Sequence, residues 1–140
     1  MELRLIRYAD LNSKQKEAYN FHKVAAVLAD YGFNCIKLDD DWQGADFLAY
    51  HKDGTHTLKV QLKGRLTIDK KYIGKDLYMA FPLYGSWYLV PHDDLVSYFE
   101  KSKQHLQTNS WRSNGHFNNA RPGRPTVTWL QRFRLESPAA

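Results

Sequence analysis

Cysteine is nearly missing from this chain. Cys35 is the only one among 140 residues, so an internal disulfide is excluded and a zinc site would have to draw on histidine and carboxylate. It sits in the apolar stretch "FNCIKL", the setting of a buried structural thiol rather than of a nucleophile. Long apolar runs are missing too, and nothing approaches the roughly 18 to 20 apolar residues of a membrane span. The opening "MELRLIRYADL" scatters charges and has neither the apolar run nor the small-residue cleavage site of a secretion signal. These absences point to a cytoplasmic protein with no membrane partner. No glycine-rich phosphate loop occurs in "GRLTIDKKYIGK", which disfavours a nucleoside-triphosphate enzyme. With no internal repeat and no linker, one domain over residues 1–140 is the expectation.

What is present is basic charge in two blocks. Residues 61–75 carry Lys63, Arg65, Lys70, Lys71 and Lys75 against Asp69 alone, and residues 101–140 carry seven basic side chains against Glu136 alone. The first 60 residues are nearly balanced, with eight basic and nine acidic. Concentrated basic segments suit a polyanion such as nucleic acid. A solvated basic surface is the plainer alternative.

Apolar spacing predicts a helix over 13–31, where Phe21, Val24, Ala25, Leu28 and Tyr31 form one stripe. Asn12 with Gln15 fits a capping pair, and Gly32 fits a stop. Strands are predicted over 33–38, 45–51 and 57–63, with "DDDWQG" read as an acidic turn and "KDGT" as a hairpin turn. Residues 64–76 read as a basic loop, "LYMAF" and "SWYLV" as strands, and "PHDDLVSYFEK" as a second helix. The segment 108–125, rich in Asn, Gly, Pro and Arg, reads as a loop, and the alternation in "TVTWLQRFRL" (126–135) predicts a last strand. The fold class is therefore α/β, a mixed central sheet flanked by helices.

The chemistry centres on "KVQLKGR". Residues two apart on a strand leave the same face roughly 7 Å apart, so Gln61 and Lys63 project into one site. Asp46 lies on the preceding strand, where a hairpin brings it beside them. Glu17 falls on the helical stripe that faces the sheet.

Taken together, the helix with Glu17, then "GADFLAYH", then "KVQLKGR" resembles the PD-(D/E)XK nuclease superfamily, which includes restriction enzymes, Holliday-junction resolvases and some homing endonucleases. The resemblance covers about residues 13–100, with a basic C-terminal loop and strand over about 102–136. It implies a restriction-endonuclease-like core and a metal-dependent endonuclease acting on DNA. Asp46 matches the family's first carboxylate, Lys63 its lysine and Glu17 its helical acid, while Gln61 stands where the second acid belongs. A glutamine carbonyl still ligates a hard cation but brings no charge. The resemblance implies Mg²⁺ or Mn²⁺ on Asp46, the Gln61 carbonyl and the Val60 backbone carbonyl, with Glu17 holding a second ion or a water. Lys63 is then the residue that orients or deprotonates the attacking water and stabilises charge on the phosphate. A restriction, repair or mobile-element role and a homodimer follow by the same analogy. The rival readings are a catalytically silent nucleic-acid binder and a protein-interaction module.

Around that site Arg65, Lys70, Lys71, Tyr72 and Lys75 are candidates to grip phosphates. Arg112, His116, Asn118, Asn119, Arg121 and Arg124 are candidates for a second contact that reads base edges. Several other signals have bland explanations. Asp39, Asp40 and Asp41 read as a turn, His92, Asp93 and Asp94 as a helix cap, and the aromatics from Tyr78 to Phe99 as core. His51 and His56 flank a hairpin without a third ligand at zinc spacing.

Overall fold

The computed structural model describes residues 1–102 and 108–136; Lys103, counted above in the C-terminal basic block, lies outside them. The first long element is helix α1 (Ser13–Ala29), started by a reciprocal cap in which the Asn12 side chain accepts from the Gln15 N–H and the Gln15 side chain accepts from the Asn12 N–H. It ends just before Gly32, whose φ of 87° only glycine adopts freely. Three antiparallel strands follow, β1 (Phe33–Trp42), β2 (Ala45–His51) and β3 (Thr57–Leu62). The chain then leaves the sheet through β4 (Leu66–Asp69) and a short 3-10 turn at Lys70–Tyr72, and returns as β5 (Leu77–Leu83), which pairs parallel to β3. The last strand of the five, β6 (Ser86–Pro91), pairs antiparallel to β5, so the order is β1-β2-β3-β5-β6.

Alternation along these strands feeds two cores. Val60, Leu62, Phe47, Ala49 and Ala80 pack under Val24 and Leu28 of α1. Met79, Phe81, Tyr88 and Val90 turn the other way, against Leu95, Val96 and Phe99 of α2 (His92–Ser102) and against Leu66 and Ile68 of β4. Helices therefore cover both faces of a mixed sheet, as the strand and helix pattern predicted. Among the described residues no helix is long and apolar enough to cross a membrane.

Four predicted segments differ. The acidic turn is strand: β1 runs through Asp39–Asp41 with an irregular register after Lys37, and only Gln43 and Gly44, both at positive φ, make the turn. β1 is an edge of the sheet, and exposed carboxylates there oppose pairing with a second chain. The basic loop contains β4, and the loop over 108–125 contains α3 (Asn109–Asn114) and β7 (His116–Asn119), which pairs antiparallel to β4 as a small second sheet. The last strand is instead helix α4 (Arg124–Leu130) followed by a 3-10 turn, with only a single bridge from Arg134 to Tyr88. Pro125 opens that helix, a position proline favours, and Thr126 and Leu130, four apart, take the buried face that alternation had concealed.

Candidate active site

The β2–β3 ladder stops at the Phe47–Val60 pair. One residue further the strands part, and the Asp46 carboxylate accepts the Leu62 N–H at 2.8 Å, so a side chain takes over where the backbone ladder ends. The gap becomes a cleft of about 580 Å³ against the start of α1, lined by Glu17, Asn20, Asp46, Gln61, Lys63 and Arg65 among others. The four residues expected to carry the chemistry therefore face one space. Val60 does not line it; its side chain lies in the core beneath α1.

Gln61 is the unusual member. The residue is 6% exposed, and its Oε1 is buried with no hydrogen-bond partner, the one such side-chain atom among the described residues. A buried acceptor left unpaired costs about 1–3 kcal/mol, and this one belongs to a residue that lines a polar cleft. Asp46 has its pKa raised, first by burial and then by the charges of Glu17 and Asp41, against the lowering effects of the Leu62 N–H and Lys63. Those interactions place Glu17, Lys63 and Asp41 within electrostatic reach of the carboxylate. No cluster of three His, Cys, Asp or Glu suited to a metal occurs among the described residues.

The residues proposed to grip nucleic acid divide. Arg65 lines the cleft. Lys70 and Lys71 are exposed beyond β4, their amines over the rings of Trp111 and Tyr72. Tyr72 is placed in the core rather than on the surface: it is 3% exposed, edge-on to His92, and burial with three nearby carboxylates pushes its phenol up to about 12. Lys75 lines a separate depression with Gln43, Lys59 and Asp76. The second group is joined to the first, since β7 lays Asn118 and Asn119 opposite Thr67 and Leu66, making the two basic segments neighbours. Asn118 is exposed beside His116, Asn119 accepts the Arg121 N–H, Arg112 lies on α3, and Arg124 opens α4.

His92 was read as a cap and is instead fully buried. Its Nε2 accepts the Asp69 N–H at 3.1 Å, so the proton sits on Nδ1, toward the Asp93 carboxylate at 3.2 Å. Asp93 also accepts the Gly74 N–H. Two side chains at the start of α2 thus fix both ends of the loop that follows β4, an arrangement that a "HDD" triplet alone does not reveal. His51 and His56 do stand edge to face, but His51 bonds the Tyr31 carbonyl and Asp53, a hairpin anchor rather than a ligand set. Burial pushes the Cys35 thiol up to about 11, which keeps it protonated and inert.

No family model and no curated protein matches the chain. Among solved structures it is similar to Hjc, a Holliday junction resolvase from Archaeoglobus fulgidus, with 16% identity over 56% of this chain and 74% of that one at a TM-score of 0.45. It is also similar to the bacterial homing endonuclease I-Ssp6803I, with 15% identity over 87% of this chain and 94% of that one at a TM-score of 0.49.

Proposed function

We propose that this protein is an endonuclease that hydrolyses phosphodiester bonds of DNA with the help of Mg²⁺ or Mn²⁺. The observation that carries the reading is the unpartnered, buried Oε1 of Gln61, a residue that lines one cleft with Asp46, Lys63 and Glu17. An oxygen-rich set with a buried orphan acceptor fits a hard cation, so Asp46 and Gln61 would hold the ion, with Glu17 as the remaining candidate. When bound, the cation would act as a Lewis acid on the phosphoryl group.

The chain's own residues do the rest. Lys63 presents an ammonium to the non-bridging phosphate oxygens, whose charge grows as a water oxygen bonds to phosphorus and the bond to the departing sugar oxygen breaks. Glu17, exposed at the cleft, would orient that water and accept its proton. Arg65 holds a neighbouring phosphate. Two copies of so small a domain would reach both strands of a duplex.

A second reading, binding without cleavage, is favoured by the amide at position 61, which lowers the negative charge available to a cation. Both are tested by incubating the protein with supercoiled plasmid, single-stranded DNA and a branched duplex in Mg²⁺ or Mn²⁺, beside Asp46→Ala. Cleavage lost in the variant supports the endonuclease. Salt-sensitive binding by both proteins with no cleavage in either metal supports the silent binder.

A further inference from the structure

A second hollow of about 300 Å³ adjoins the cleft and shares Tyr8, Asn20 and Gly64 with it. Its walls include Tyr8, Tyr19 and Trp87, which come from the turn before α1, from α1 itself and from β6. Tyr8 and Tyr19 lie 5.2 Å apart, tilted at 58°, and are 39% and 36% exposed. Asn20 fixes the first of them by donating from Nδ2 to the Tyr8 hydroxyl at 2.9 Å. Each tyrosine also carries an amine, Lys16 at 5.3 Å from the Tyr8 centroid and Lys23 at 5.2 Å from that of Tyr19. Gly64, which directly follows Lys63, forms part of the rim, and open space lies where a side chain at that position would be.

Flat aromatic faces beside ammonium groups match the two halves of a nucleotide, a base to stack and a phosphate to neutralise. Continuity with the phosphate-facing cleft across Gly64 gives the occupant its register. We propose that this hollow receives an unstacked nucleobase next to the scissile phosphate, so that the preferred substrate carries an unpaired nucleotide there, at a gap, flap or branch, rather than an uninterrupted duplex. This rests on the nuclease reading above. A base held inside a duplex cannot reach such a hollow without the energetic cost of unstacking, whereas a nucleotide already unpaired has met most of it.

The test uses Asp46→Ala protein, so that binding is read without cleavage, and DNA carrying the fluorescent base aminopurine either at an unpaired position or within a continuous duplex. The expected result is quenched emission from the unpaired position, with Tyr19→Ala weakening affinity for that DNA about 5- to 160-fold, the range that loss of one stacking partner gives, while affinity for the continuous duplex stays unchanged. Trp87→Leu keeps an apolar side chain against the core and provides the second variant. Equal affinities for both DNAs in every variant, with unquenched emission, overturn the base site while leaving the nuclease reading intact. Loss of self-association in Tyr19→Ala with unquenched emission also overturns it, and assigns the hollow to a second copy of the chain. Absence of salt-sensitive binding to any DNA overturns both readings.

Discussion

Gln61 concentrates the energetics of the site in one atom. A buried oxygen without a donor lowers the stability of the metal-free protein, and removing it relieves that cost. Gln61→Leu should therefore raise the unfolding free energy in chelator by about 1 kcal/mol while abolishing metal-dependent cleavage; destabilisation in a thermal melt would show that the amide is satisfied. Asp46 follows the same logic through its charge. Folding raises its pKa above the ordinary value of 3.8, burial being the main cause, so the metal-free native state binds the proton more readily than the unfolded chain. The stability linked to this group is complete below 3.8 and is lost as pH rises through the folded value. Asp46→Asn should accordingly melt higher than wild type at pH 7 in chelator, and the difference should vanish in acid. A pH series of melts checks the sign.

At the scale of elements, the loop after β4 depends on one histidine. Burial lowers the His92 pKa from 6.5, and protonation of Nε2 would remove the acceptor of the Asp69 N–H. The sign is opposite to that of Asp46: the stability is complete above 6.5 and declines as pH falls toward the lowered folded value. His92→Ala should cost about 2–4 kcal/mol, from a cavity together with an unpaired N–H, and should abolish that acid-side slope in denaturant melts. A small, pH-independent loss would contradict this role. Elements of this kind also show what sequence conveys. The cap at Asn12 and the alternation of β2, β3, β5 and β6 are local patterns that stand where predicted, and the stripe of α1 does so through Leu28, while the helix ends at Ala29 and leaves Tyr31 exposed. Helix α4 and the β4–β7 pair are decided by contacts between distant residues, such as Ile68 with Phe117 and Tyr98 with Trp129, which no local periodicity encodes. Of the candidate site, the convergence of Asp46, Gln61 and Lys63 was legible from strand spacing, whereas the burial of Tyr72 and His92 was not, because both depend on α2 packing over a loop.

Across the whole molecule, the pairing of β4 with β7 makes parts of the two basic segments neighbours. Binding of DNA should weaken linearly with the logarithm of salt, by about 0.9 in slope for each phosphate neutralised. Arg65→Ala, which removes the guanidinium lining the cleft, should reduce that slope by about one, while removal of the Asn118 amide should leave it unchanged. An unchanged slope in Arg65→Ala would place the phosphates elsewhere. The proposed cleavage depends on the cleft where β2 and β3 part being a divalent-cation site organised by Asp46 and Gln61. The most direct test is calorimetric titration of Mn²⁺ into the wild-type protein and Asp46→Asn without DNA. The account predicts saturable binding to the wild type that is lost in the variant. Binding of equal affinity in both, or none in the wild type, would contradict it.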